Sequence, residues 1–122
     1  MDAVLYVVDL ARMAAFYRDG LGLNLSGSHD AATELDCAGA TLHLVQVPPS
    51  VAAEIVITEP PARREETPIK LIVPVDDLAA ARRRIAEHGG AVDSPDREWT
   101  WESTVRVDAV DPEGNVLQLA AR

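Results

Sequence analysis

Four polar side chains of this 122-residue chain are predicted to share one surface: Asp2, His43, Lys70 and Gln118. Each lies in or beside a predicted strand, at a position whose side chain points away from the predicted helices, because side chains alternate between the two faces of a strand. The set offers a carboxylate, an imidazole, an ammonium and an amide. Carboxylate and imidazole groups can ligate a divalent metal or move a proton, whereas an ammonium has no lone pair to donate.

His43 is the best candidate for a general base in this set, because an imidazole changes its charge near neutral pH. A histidine that is simply hydrogen-bonded within its strand is the alternative. Lys70 also has two interpretations: its ammonium pairs with Asp2 across the surface, or it reaches into solvent from a strand end.

The elements that position these residues form a repeat. A shift of 68 positions places Asp9 on Asp77 and Gly22 on Gly90, and each acidic residue follows a β-branched run and precedes a helical pattern. Asp9 and Asp77 are therefore predicted to cap helices that follow a strand. The chain uses one motif twice.

Each copy is predicted to have the order β-α-β-β-β. The first copy, residues 1–58, has strands at 3–8, 23–28, 32–36 and 40–47, a helix from Leu10 to the glycines at 20 and 22, and an extended segment at 51–58. A proline-rich linker spans 59–68. The second copy, residues 69–122, has strands at 69–75, 91–92, 103–110 and 116–121 and a helix at 78–88. The expected fold is α+β, with two tandem modules related by a pseudo-twofold whose curved mixed sheets enclose a trough.

Composition narrows the classes of partner. With 11 basic and 20 acidic residues the net charge is −9, which disfavours nucleic acid and favours either cationic small molecules or mere solubility. No apolar run is long enough to cross a membrane. One cysteine, Cys37, and a start without a secretory pattern predict a cytoplasmic protein.

Aromatic residues add a second candidate feature. Trp99 and Trp101 lie in a polar connection that the first copy lacks, and Tyr6 lies on the trough side of the first strand. The tryptophans could form a lid that stacks on a planar or cationic ligand. Alternatively, one of them closes the open end of the sheet.

Nearly the whole chain resembles the vicinal oxygen chelate superfamily, which includes glyoxalase I, extradiol dioxygenases and bleomycin-resistance-type binding proteins. The resemblance is carried by residues 7–10, 16–17, 21–22, 40–44, 75–78 and 111–118. It implies a homodimer, and in metal-dependent members it places the metal ligands at positions that correspond here to Asp2, His43, Lys70 and Gln118.

Lys70 departs from that ligand pattern, so we expect no metal or other cofactor. The favoured hypothesis is a metal-free protein that binds a small organic molecule, such as an antibiotic, through a set of seven residues: Asp2, Tyr6, His43, Lys70, Trp99, Trp101 and Gln118. The alternatives are a metal-dependent lyase or isomerase of the glyoxalase or epimerase type, and a structural or partner-binding module.

Overall fold

A computed structural model describes residues 1–122 and contains two mixed β-sheets. The first sheet has the strand order β1-β4-β3-β2. Its strands are β1 (Ala3–Val7), β2 (Asn24–His29), β3 (Ala32–Cys37) and β4 (Ala40–Gln46). β1 runs parallel to β4, and β3 is antiparallel to both β2 and β4. The order of these strands along the chain is the predicted one, with strand ends that differ by one residue.

The helix after β1 changes type along its length. α1 (Leu10–Ala15) is followed by a π-helical turn at Phe16–Gly20, in which the Leu21 amide donates to the carbonyl of Phe16 at 3.0 Å. A π turn contains one more residue than an α turn. Phe16 and Tyr17, consecutive in sequence, are both fully buried in it, with ring centroids 5.0 Å apart.

The extended segment predicted at 51–58 is wrong. A short helix, α2 (Pro49–Ala52), begins directly after Pro48, and no strand follows it before the linker. Proline at the first helical position is favourable because its fixed φ suits a helix and its missing N–H needs no partner there.

The second sheet has the order β5-β9-β8-β6. A further strand, β7, pairs with the N-terminal part of β8, whereas β6 pairs with its C-terminal end. Its elements, with one helix, are β5 (Leu71–Val75), α3 (Leu78–Glu87), β6 (Ala91–Val92), β7 (Trp99–Trp101), β8 (Thr104–Val110) and β9 (Val116–Ala121). β5 is parallel to β9, as β1 is to β4. The fold is therefore α+β with two βαβββ repeats. None of its helices is long and apolar enough to span a membrane.

Equivalent aspartates begin the two longer helices, as predicted. The Asp9 carboxylate accepts from the Arg12 amide at 3.1 Å, and Asp77 accepts from the amides of Ala79 and Ala80 at 2.9 and 3.3 Å. These bonds satisfy amides that have no partner inside a helix.

Both repeats contribute to one hydrophobic core of 18 buried residues. The π turn packs against α3, and the face of each sheet that carries helices is turned toward this core. In β1 and β5 the helix-side residues Val7, Val73 and Val75 are buried, whereas Val4 and Ile72 on the opposite faces are exposed. The predicted assignment of sheet faces is thus confirmed for these strands.

The turn between β8 and β9 joins the repeats through buried polar groups. Glu113 is buried, and its carboxylate accepts from the amides of Val8 and Asp9 at 2.8–3.0 Å. Buried Asp111 accepts from the Tyr17 hydroxyl at 2.8 Å and from Asn115. Burial, and then the charge of Asp111, raises the pKa of Tyr17 well above its ordinary value, which keeps this hydroxyl a donor.

The carboxylate of Glu113 is therefore expected to stabilise the fold. Replacing Glu113 by Ala leaves the amides of Val8 and Asp9 without their acceptor, which should lower the free energy of unfolding by about 2–3 kcal/mol. Urea denaturation followed by circular dichroism measures this change. The control is Glu66→Ala, which removes an exposed glutamate that has no hydrogen bond. Equal stability of the two variants would contradict the assigned role.

Candidate functional site

The helix-free face of the second sheet carries four of the seven residues predicted for the site. Ile72 and Asp108 flank Gln118 in register, and Arg106 flanks Trp99, so these side chains share one face. Lys70 and Trp101 lie two residues along from Ile72 and Trp99 and belong to the same face by alternation. The predicted residues on this face are Lys70, Trp99, Trp101 and Gln118.

Lys70 forms an ion pair on this face. Its Nζ donates to Asp108 Oδ2 at 2.8 Å. Arg63 approaches the same carboxylate oxygen at 3.7 Å, and it forms two shorter bonds to Asp93 at 2.7 and 3.2 Å. Lys70 therefore neither reaches into solvent unpaired nor pairs with Asp2. Both interpretations of Lys70 from the sequence are therefore wrong, because neither includes Asp108.

Arg106 and Asp108 alternate with Val105 and Val107 along β8, a pattern that slightly favours water over the trough for both side chains, and the structure corrects this. The Asp108 side chain is only 17% exposed, and its Oδ1 is buried without a hydrogen-bond partner. Arg106 Nη1 donates to the amide oxygen of Gln118 at 2.7 Å. The positions of Asp108 and Arg106 beside Gln118 depend on the register of β8 against β9. Strand alternation alone does not predict this register.

The two tryptophans form a strand rather than a loop. β7 pairs with β8 at the edge of the sheet, so Trp99 and Trp101 point to the same side with Thr100 between them. They are 38% and 57% exposed. Both tryptophans therefore lie on one side of an edge strand, to which the preceding 3-10 turn at Pro95–Arg97 leads the chain, and their role as a lid stays a prediction.

The helix-free face of the first sheet carries the other three predicted residues, Asp2, Tyr6 and His43. His43 lies between Val4 and Glu34 in register, and its Nδ1 is 3.9 Å from Glu34 Oε1. His29 approaches the same carboxylate oxygen at 3.3 Å. The nearest acid to His43, which the sequence did not identify, is thus Glu34 on the adjacent strand.

Asp2 and Tyr6 lie on the same face of the first sheet but differ in their contacts. Asp2 Oδ1 accepts from the Thr41 amide at 2.9 Å. Tyr6 is 67% exposed, and its hydroxyl forms no hydrogen bond. Asp2 is therefore held at a strand end, whereas Tyr6 presents its ring to the surroundings.

A cleft of about 790 Å³ lies between the first strands of the two repeats. Residues of β1 and β5 line it from both sides, together with residues near the buried turn. Of its 15 lining residues ten are apolar; the complete set is Met1, Asp2, Ala3, Val4, Leu5, Tyr17, Thr67, Pro68, Ile69, Lys70, Leu71, Ile72, Asn115, Val116 and Leu117.

The cleft brings together Asp2 and Lys70 out of the seven predicted residues. His43 and Gln118, which were expected beside them, lie one strand further from the cleft on β4 and β9. Tyr6 and the tryptophans lie outside its lining as well. Within one chain the predicted set therefore spreads over two sheet faces and does not converge at a point.

The residues at the four metal-ligand positions do not fit a divalent ion. No three histidine, cysteine, aspartate or glutamate side chains of the chain are grouped so that they could hold a metal. Lys70 stands at one of the four positions, and its ammonium is already donating to Asp108. A protonated amine supplies positive charge at this place and no ligand atom.

The sequence and the fold match known proteins. A model of the Glyoxalase/Bleomycin resistance protein/Dioxygenase superfamily matches residues 2–119. A comparison with curated proteins finds no significant match. Solved structures align over nearly the whole chain at low sequence identity, which supports the fold alone.

Three solved structures illustrate this likeness. A Burkholderia phytofirmans glyoxalase/bleomycin resistance protein/dioxygenase family enzyme has a TM-score of 0.70 and 16% identity, covering 98% of this chain and 95% of its own. The hypothetical protein SA1046 of S. aureus has a TM-score of 0.68 and 17% identity, with coverage of 100% and 96%. The bleomycin-binding protein of Streptomyces verticillus has a TM-score of 0.60 and 17% identity, with coverage of 100% and 94%.

Restoring a ligand atom at position 70 should not create a metal site. In Lys70→His the imidazole gains a lone pair, but His43 and Gln118 remain on separate sheets, so we expect no stoichiometric zinc binding. Isothermal titration with zinc, compared with the unchanged protein, measures this. One tightly bound zinc per chain in the variant alone would show that the site was kept in place and lacked only a donor.

Proposed function

The chain belongs to the Glyoxalase/Bleomycin resistance protein/Dioxygenase superfamily, and we propose that it acts there as a metal-free protein that binds a small organic molecule. The observation that carries the proposal is the cleft between β1 and β5, whose lining includes a lysine at a family metal-ligand position. An antibiotic is one class of ligand that such a protein could sequester.

The size and lining of the cleft support a small-molecule ligand. Its volume of about 790 Å³ falls in the range of roughly 300–1,000 Å³ typical of ligand sites. Such sites are mostly apolar with a few polar groups that fix orientation. Here ten apolar residues surround Asp2, Lys70, Thr67 and Asn115.

Charge at Lys70 disfavours the alternative of a metal-dependent lyase or isomerase. That reaction needs a metal to polarise two neighbouring oxygens of the substrate. An ammonium beside the same place repels a divalent cation, and its pairing with Asp108 withdraws a carboxylate that could otherwise ligate one. We therefore favour binding over metal catalysis.

We also propose that two copies pair through the helix-free sheet faces. These faces expose Val4, Tyr6, Ile72, Trp99 and Trp101, which are apolar or aromatic side chains on ordered strands. Large apolar patches on a soluble domain typically mark interaction surfaces. A second copy packed against these faces would cover them. We place the protein in the cytoplasm, since its one cysteine requires no oxidising compartment.

Ligand binding should depend on the cleft and not on metal. Any compound of a thermal-shift screen of cationic antibiotics and 2-oxo compounds that raises the melting temperature should do so equally with and without EDTA. Ile69→Asn places an amide in the apolar lining, at an exposed residue outside the proposed dimer faces, and should weaken binding about tenfold, because burying an amide without a partner costs about 1–3 kcal/mol.

The matched control for this experiment is Val56→Asn. Val56 is highly exposed and lies outside the cleft, so its replacement should leave the affinity unchanged. Binding that disappears with EDTA, or that is equally weak in both variants, would contradict metal-free binding in the cleft.

Dimerisation should depend on the exposed face of the first sheet. Tyr6→Glu puts a charge in the centre of the proposed interface, and analytical ultracentrifugation should find a dimer for the unchanged protein and a monomer for this variant. Val56→Glu adds the same charge at an exposed apolar residue outside the sheets and should remain a dimer. A monomeric unchanged protein would refute the pairing.

A further inference from the structure

We propose that the ligand of the cleft is an organic anion, whose carboxylate, sulfonate or phosphate group binds in a polar recess that opens beside Lys70. The inference rests on the proposed function and adds the chemical class of the ligand. The net charge of the chain, by contrast, is typical either of a protein that attracts cationic small molecules or of mere solubility.

The recess is small and polar. Its volume is about 200 Å³, and six of its seven lining residues are polar or charged, the seventh being Val116. The polar ones are Arg63, Arg64, Glu65, Thr67, Lys70 and Asp108. Three cations and two carboxylates line it, and Asp93 binds Arg63 from outside the lining, so the recess has no excess of negative charge on a chain whose total charge is −9.

The carboxylates around the recess are already engaged. Glu65 lies 3.3 Å from Arg63 Nε, and Asp93 binds the other end of that guanidinium. Asp108 Oδ2 accepts from Lys70, and Asp108 Oδ1 is buried and has no surface toward the recess. Arg63 is therefore a neutralised, structural cation.

Hydrogen-bond donors remain unused after this pairing. Arg64 forms no salt bridge or side-chain hydrogen bond, although its backbone is fixed by a bond from its amide to the carbonyl of Gly114 at 2.8 Å. Lys70 uses one of its three ammonium protons, on Asp108. A guanidinium with a fixed backbone and two free ammonium protons suit the several oxygens of a carboxylate, sulfonate or phosphate.

The recess and the cleft adjoin each other. Thr67, Lys70 and Val116 line both of them. An apolar body can therefore lie between β1 and β5 while an anionic group attached to it reaches Arg64 and Lys70. The cleft then supplies affinity for the apolar body, and the recess selects ligands that carry a negative charge.

A matched pair of fluorescent probes tests the inference. 1-Anilinonaphthalene-8-sulfonate and N-phenyl-1-naphthylamine share one aromatic skeleton, and only the first carries a sulfonate. Fluorescence titration should show tighter binding of the sulfonate probe. Arg64→Gln should weaken the sulfonate probe about fivefold to tenfold, as loss of a charged hydrogen bond does, and should leave the neutral probe unchanged.

The control is Arg83→Gln, which removes an equal charge from an exposed residue of α3 that has no hydrogen bond and lies outside the recess. It should leave both probes unchanged. Equal binding of the two probes, or equal effects of the two substitutions, would overturn the anion site while leaving the proposed function intact. Failure of both probes to bind would overturn the cleft as a binding site and the proposed function with it.

Discussion

The buried turn at residues 111–115 fixes how the two repeats meet. Its two carboxylates are almost wholly removed from water, which is costly unless each is satisfied by donors. The donors to Glu113 come from the other repeat, as the amides after β1, and Asp111 accepts both from the Tyr17 hydroxyl of that repeat and from Asn115 of its own turn. Rotating one repeat against the other would leave Glu113 unpaired and would remove the Tyr17 hydroxyl from Asp111. The cleft between β1 and β5 depends on this constraint, since it is formed where the repeats meet.

Electrostatics at one position then decides what the cleft can hold. Lys70 contributes a positive charge that Asp108 holds in place. The site therefore already contains a cation and needs no metal ion to supply positive charge. A lysine point charge is weaker than a divalent ion and does not impose a coordination geometry. Such a site suits recognition of an anionic group better than polarisation of a substrate. The proposed binding role rests on this difference.

Sequence periodicity predicted the repeat, the order of the main strands and the side of the sheet on which each residue lies. Alternation correctly separated Val73 from Ile72, because it depends only on the local geometry of a strand. It failed for contacts between strands. Asp108 was missed as the partner of Lys70 because their proximity depends on the register of β8, β9 and β5, which pairs residues that are far apart in sequence.

Short elements also escaped prediction for physical reasons. The pattern Trp-Thr-Trp is too brief to show a period, and β7 forms only because β8 extends beyond the end of β6 and offers free backbone groups. The spread of the candidate residues over two sheet faces could not be predicted either. Alternation places Asp2, His43, Lys70 and Gln118 on helix-free faces, but the distance between the two faces depends on the packing of the shared core. The boundaries of the modules at 1–58 and 69–122 stay a prediction.

The metal content of the protein tests the central claim most directly. Elemental analysis by mass spectrometry on protein purified without chelator, from cells grown with zinc, nickel, manganese and iron, should find each metal far below one atom per chain. Such a result is expected if the ammonium of Lys70 takes the place of a metal ion. One atom of any of these metals per chain, retained through gel filtration, would contradict the account.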